Sequence, residues 1–306
     1  MKLYLAGIYT ASFHRTGQLY NRLTDREKAY HQGVQHYLES YHYIHRQSYV
    51  DRIRADGTKV FLDSGAFSAF TKGVEVDLEG YCDYILRNLD IIETVDGAIC
   101  ASVLDGIGDP LKTWQNQQYM ERLGVRPLPC FHYGEDERYL EWYMANYEYI
   151  TLGGMVPIST PQLYHWLDRI WEKYLTDGSG RPRLKVHGFG LTVIPLMERY
   201  PWFSVDSSSW VQSSSNGNIQ MNGLGIISVS SNSPSAKVYG RHMDTLPPIQ
   251  QKALLDRLEK EGFDPQRLRE EYITRWVYNC MSFTELNQMI NARKGEEFHN
   301  ESYTLF

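Results

Sequence analysis

Short apolar runs alternate with stretches of helical periodicity along most of this chain, and nearly every run ends on an acidic residue, a histidine or a glycine pair. Lys2–Tyr9 comes first. Lys59–Leu62 ends in Asp63-Ser64-Gly65, Gly97–Leu104 in Asp105, Arg126–Phe131 in His132, and Tyr149–Leu152 in Gly153-Gly154. Leu184–Val186 ends in His187-Gly188 and Trp202–Val205 in Asp206; Gly225–Ser231 is the last candidate strand. Helical patterns at 26–54, 78–89, 111–123, 137–146, 160–174 and 193–200 separate them. Such alternation implies a parallel sheet covered by helices. Eight strands in 306 residues predict an α/β chain of the (β/α)8 TIM-barrel type. A doubly wound open sheet is the alternative. Its dinucleotide-binding form is disfavoured because no GxGxxG opens the first helix.

The chain reads as a single domain over 1–306, with a barrel core to about 245 and a helical part over about 246–306. Helices are expected there at 250–261, 265–279 and 283–292. Residues 207–241 are rich in Ser, Asn and Gly, which predicts a long, partly structured loop of functional kind. The four cysteines, Cys82, Cys100, Cys130 and Cys280, form no CxxC pair for zinc or redox chemistry. Cys100 and Cys130 fall in apolar runs and read as core thiols. That usage, a strand-like rather than signal-like Met1–Gly7, and the lack of a long apolar run predict a cytoplasmic protein with no membrane span.

A net charge of −6 argues against a protein that coats nucleic acid without regard to sequence. It leaves room for a brief enzymatic contact through a local basic patch. The 23 tyrosines cover apolar surface and also suit stacking on bases.

In a parallel barrel the residues at the strand ends share one mouth, where active sites lie. One strand-end aspartate is ordinary, since it often caps the next helix. Asp63, Asp105, His132, Gly153-Gly154, His187-Gly188 and Asp206 at successive strand ends point to one site. Two carboxylates at one mouth suit glycosidic chemistry, one attacking the anomeric carbon and the other moving protons. Spacing leaves open which one attacks. Glycines at strand ends let a flat ligand approach the backbone. Phe67 is placed to stack on a base or to pack in the following helix. Metal-dependent hydrolysis is disfavoured: no HxH follows the first strand, and His42/His45 reads as surface. No metal and no cofactor is expected.

Asp63-Ser64-Gly65-Ala66-Phe67 resembles the DSGGF/Y motif of the tRNA-guanine transglycosylases. Further motifs follow in the same order. Val103-Leu104-Asp105 resembles the strand bearing their base-reading aspartate, and His132-Tyr133-Gly134 falls where they carry Gln-Gly. Leu152-Gly153-Gly154-Met155 resembles their Gly-Gly-Leu turn, Lys185–Gly190 their Leu-Met-Gly-Val-Gly, and Phe203–Ser207 the strand of their nucleophilic aspartate. The resemblance covers about residues 60–210.

It implies Asp206 as nucleophile, Asp63 as general acid and base, and Asp105 as reader of the purine-like edge. It further implies base contacts from Ser64, His132, Gly153, Gly154, Met155 and Gly188, with Phe67 on one face of the base and His187 on the other. The family's cysteine-rich zinc subdomain is absent, Ser68 stands where Gln is usual, and His132 and His187 replace Gln and Met. These departures resemble the phage-associated DpdA branch, which installs 7-deazaguanines such as preQ0 in DNA. The expected partners are therefore DNA, with tRNA as alternative, and a free 7-deazaguanine base; a homodimer is left open. Trp210, Lys237 and Arg241 are expected to cover a flipped nucleotide, and Arg46 to meet phosphate. A hydrolytic N-glycosidase and a non-catalytic binding subunit are the rival readings.

Overall fold

The computed structural model describes residues 1–303, with side chains described through residue 294. The chain falls into two compact units, one of residues 1–16 with 36–207, the other of residues 17–35 with the chain from Ser208 onward. One boundary between them lies at 207/208.

The first unit contains nine strands: β1 (Lys2–Ala6), β2 (Tyr37–Ser40), β3 (Val60–Asp63), the pair β4 (Thr94–Val95) and β5 (Ala98–Ile99), β6 (Cys130–His132), β7 (Tyr149–Gly153), β8 (Lys185–Gly188) and β9 (Ser204–Ser207). Seven of these form one parallel sheet in the order β3-β2-β1-β9-β8-β7-β6. It is a curled half-barrel of the TIM-like kind. Tyr4 pairs with Asp206, Ser40 with Asp63, and His132 with Gly153 across its ladders. Tyr4, Leu38, Phe61, Cys100, Leu128 and Tyr149 meet in one buried cluster on its inner side. Helices flank the strands because their apolar residues recur at helical spacing. Leu163, Trp166, Leu167 and Ile170 are the buried residues of Thr160–Ile170. Asp109 and Asp136 cap the helices Pro110–Arg122 and Glu137–Asn146 by accepting from Lys112 N–H and Arg138 N–H.

Two expectations about the strands need correction. The stretch 26–54 is not one helical region, because β2 lies inside it. Its Glu39 is buried and accepts hydrogen bonds from Tyr9 N–H and the Thr10 hydroxyl at 2.6 and 2.8 Å. Tyr37 and Leu38 are buried beside it, but a four-residue run that includes a buried glutamate gives hydropathy little to mark. The expected strand 97–104 is broken. Ala98–Ile99 folds back antiparallel on Thr94–Val95 through Asp96 and Gly97, both at positive φ. The remainder makes single bridges on either side. Leu62 N–H donates to Cys100 O and Ser102 N–H to Leu62 O; Val103 N–H donates to Leu128 O and Leu128 N–H to Ala101 O.

The second unit contains the antiparallel pair β10 (Asn218–Met221) and β11 (Gly225–Ser228). The expected eighth barrel strand, 225–231, is thus a hairpin arm outside the parallel sheet. Pro248–Glu261 and Pro265–Glu270 are helices, and Tyr272–Tyr303 is one continuous helix where two were expected. The Ser/Asn-rich stretch is largely ordered, with a helix at Ser209–Ser215 before the hairpin. Asn279 locks this region together, donating to Trp210 O and Ser214 Oγ and accepting from Gln220 N–H. No helix among the described residues is long and apolar enough to cross a membrane.

Candidate active site

Side chains two apart on a strand point to the same face. Phe61 lies in the inner cluster, so Asp63 faces inward above it. By the same rule Ser102 follows Cys100, Cys130 and His132 follow Leu128, and Gly153 follows Tyr149. In a parallel sheet these residues gather at the C-terminal edge, and they form the site.

Asp63 Oδ2 accepts from Gly65 N–H at 3.0 Å, and Oδ1 faces the Ser102 hydroxyl at 3.5 Å. Burial, then the charges of Asp105 and Asp206, push its carboxyl up to about 7. Asp63 is therefore within electrostatic reach of both Asp105 and Asp206. Gly65 is required at its position: φ is +78°, and a Cβ would lie 2.3 Å from Ser40 Oγ and 2.5 Å from His42 Cβ. Ser64 is fully buried, donating its N–H to Ser102 Oγ at 2.9 Å. It shapes the turn and is not open to a ligand, contrary to expectation.

Asp206 is only 7% exposed. Gly190 N–H donates to its Oδ1 at 2.8 Å, and His187 Nε2 lies 3.3 Å from the same oxygen. His187 Nδ1 meets Ser204 Oγ at 2.7 Å, and that hydroxyl meets Tyr149 OH at 2.7 Å. Both contacts to Asp206 thus fall on one oxygen and fix the rotation of the carboxylate. The His187 ring is wholly buried and stacks on Phe61 at 4.5 Å between centroids. It does not present a face to a base, as expected of position 187, but holds the aspartate. Gly188 also serves the packing. A Cβ there would stand 3.0 Å from the Trp202 ring, so this glycine admits a tryptophan.

On the opposite edge, His132 Nδ1 lies 2.8 Å from Glu135 Oε1, and His132 N–H donates to Glu135 Oε2 at 3.0 Å. His132 Nε2 lies 3.4 Å from Asp105 Oδ2 and 3.4 Å from Cys130 Sγ. Burial opposes protonation of His132, but Cys130 and the Asp105 carboxylate outweigh it and hold the imidazole protonated far above the usual histidine range. Burial pushes the Cys130 thiol up to about 11. Asp105 Oδ1 is buried with no hydrogen-bond partner. Gly153 leaves room for this group, since a Cβ would come within 2.9 Å of both Cys130 Sγ and His132 Cδ2. Gly154, at φ +68°, turns the chain away. The Met155 side chain is buried, which leaves only its backbone for a ligand.

Beside Asp105 a cleft of about 340 Å³ runs between residues 66–78 and 104–116, with Phe70, Val74, Leu104 and Lys112 among its lining. Phe67 and Phe70, on the helix Ala66–Thr71, are 57% and 62% exposed. Arg46 is exposed in the first unit, and Lys237 and Arg241 are exposed in the second. Trp210 is fully buried against Trp276 and is not available to a nucleotide, because Ser209–Ser215 forms a helix with the indole on its packed side.

Sequence reasoning missed Ser102, Cys130 and Glu135 as parts of the site. Glu135 carries a readable signal, a carboxylate three residues after a strand-end histidine. Ser102 and Cys130 lie inside apolar runs, and only the strand period places them inward.

No family model matches the chain, and no curated protein matches it.

Proposed function

We propose that this chain is a base-exchanging transglycosylase that replaces guanine in DNA with a 7-deazaguanine of the preQ0 type. The observation that carries the reading is the unequal pair Asp63 and Asp206 at one sheet edge. Asp63 is held near neutrality, at about 7, and can give or take a proton. Asp206 is fixed by Gly190 and His187, as a nucleophile requires. The ordered motifs from Asp63 to Ser207 support the same assignment.

In the proposed sequence, an Asp206 oxygen attacks C1′ and the C1′–N9 bond breaks. Asp63 supplies a proton to the departing guanine. The 7-deazaguanine enters, and its N9 proton passes to Asp63. N9 then attacks C1′ and the bond to Asp206 breaks, so two inversions retain configuration. Asp105, with an unpaired buried oxygen, reads donor groups on the base edge, and His132, held by Glu135, donates to an acceptor. Phe67 stacks on the exposed face. A duplex would have to release the nucleotide from its stack.

We also take the fold to be a (β/α)8 barrel in which residues 100–103 serve as the eighth stave. Their backbone bonds to Leu62 and to Leu128 support this, and β2, not 225–231, supplies the strand that completes the count.

The test is incorporation of labelled preQ0 into guanine-containing duplex DNA and, in parallel, into unmodified tRNA. Label in DNA that is lost in Asp206→Ala is the expected result. Label in tRNA alone would move the substrate, and abasic sites formed without added base would replace exchange by hydrolysis.

A further inference from the structure

We propose that Asp105, Cys130 and His132 form a binding site for a zinc-class divalent cation, with three protein ligands and one position left open. One ligand atom from each residue lies within 4.8 Å of the others. Cys130 Sγ and Asp105 Oδ2 each stand 3.4 Å from His132 Nε2. A tetrahedral ion with bonds of about 2.0–2.3 Å separates its ligand atoms by roughly 3.3–3.6 Å; both distances from His132 already match, and the Asp105–Cys130 pair lies within 4.8 Å.

Three further features belong to a built site. Glu135 holds the other ring nitrogen of His132 at 2.8 Å, the carboxylate–histidine arrangement that orients an imidazole toward a metal. Gly153 clears the space, since any side chain there would strike Cys130 Sγ and His132. Asp105 keeps a buried oxygen without a partner. The charges agree as well: Asp63, Asp105 and Asp206 crowd one edge, and a dication offsets their repulsion.

Thiolate, imidazole and carboxylate together favour Zn²⁺ or Co²⁺ over Mg²⁺ or Ca²⁺, which take oxygen ligands. Such a site binds the metal through a thiolate and a neutral imidazole. With the ion in place, its open position takes the role given above to the His132 proton, accepting a water, a ring nitrogen or a carbonyl oxygen. The site itself stands on its own geometry and does not depend on base exchange.

The experiment is titration of the chelator-treated full chain with Zn²⁺ against a chromophoric competitor, and separately with Co²⁺ followed by absorption. The expected result is one Zn²⁺ per chain and a sulfur-to-cobalt charge-transfer band. Cys130→Ser should remove that band, Glu135→Gln should weaken Zn²⁺ binding by about 10–100-fold, and Cys280→Ser should change neither. Absence of stoichiometric Zn²⁺ binding overturns the proposal, as does a Co²⁺ complex of the parent with no thiolate band. The second readout needs no variant, so misfolding of Cys130→Ser cannot obscure the answer. Neither readout uses exchange activity, so failure here is separate from failure of the function proposed above.

Discussion

The two sides of the candidate site are built differently. On the β8–β9 side each polar atom of His187 is engaged: Nδ1 with Ser204, Nε2 with Asp206, and the ring face with Phe61. Asp206 Oδ1 receives Gly190 N–H as well. On the other side Asp105 keeps a buried oxygen with no partner, and His132 sits among Glu135, Asp105 and a thiol. A satisfied network is rigid, and this one holds Asp206 through a single oxygen. An unsatisfied buried carboxylate is costly unless a ligand completes it. On the proposed function, the first side holds the group that must not move and the second is the one that recognises.

The largest effect expected from breaking this division is at Asp206. Asp206→Ala should reduce exchange by roughly 10⁴-fold or more while the chain stays folded, because a covalent step has no substitute for its nucleophile. Incorporation of labelled base with circular dichroism as the folding control measures it; retained exchange in a folded variant would remove Asp206 from the mechanism. Asp63→Asn comes next, with a loss of about 10²–10⁴-fold, the range of a general acid and base.

Asp63 also makes a pH prediction. Its folded value of about 7 lies above the ordinary 3.8. Such a group favours the folded state most below its ordinary value, and that contribution is lost as pH rises through the folded one. Asp63→Asn should therefore be more stable than the parent above about pH 7, by on the order of 1–3 kcal/mol, with the gain shrinking toward about pH 4. Guanine release in the parent, which needs the protonated acid, should fall over the same rise in pH. Denaturation midpoints at several pH values test the first statement, and single-turnover release of guanine tests the second.

The polar edge was legible because each member follows an apolar run directly: Asp63 and His132 close β3 and β6, Asp206 lies within β9, and Asp105 follows the bridging stretch 100–103. What their neighbours do was not legible, because one residue type serves several ends. Gly188 reads as an opening for a ligand, yet it makes room for Trp202. His187 reads as a mouth histidine, yet it is buried one residue below the rim. Trp210 stands in a serine-rich stretch that reads as loop, and contacts from Arg275, Trp276 and Asn279, far along the chain, hold that stretch as a helix. The strand count missed one member of the parallel sheet and added one from outside it: Glu39 hid β2, and the hairpin 218–228 imitated a parallel strand.

Two smaller effects sharpen the comparison. His187→Phe keeps an aromatic ring on Phe61 but removes the contacts to Ser204 and Asp206. A loss of up to about 10²-fold in kcat is expected, the scale for misplacing a catalytic group, with the KM for the base unchanged. A rise in KM alone would instead put position 187 in contact with the base.

The smallest effect should be at Phe67, which belongs to the recognising side. Stacking on a base is worth about 1–3 kcal/mol, so Phe67→Ala should raise the KM for the incoming base by roughly 10-fold or somewhat more. The ring is 57% exposed, so stability should change by no more than about 0.5 kcal/mol. Phe70, one turn away and 62% exposed, is the control. If Phe70→Ala raises KM and Phe67→Ala does not, the base lies over the cleft beside Asp105 that Phe70 lines, and the recognising side extends away from Asp63. If neither variant moves KM, the exposed rings of this helix serve some contact other than the base, and recognition rests on Asp105 and His132 alone.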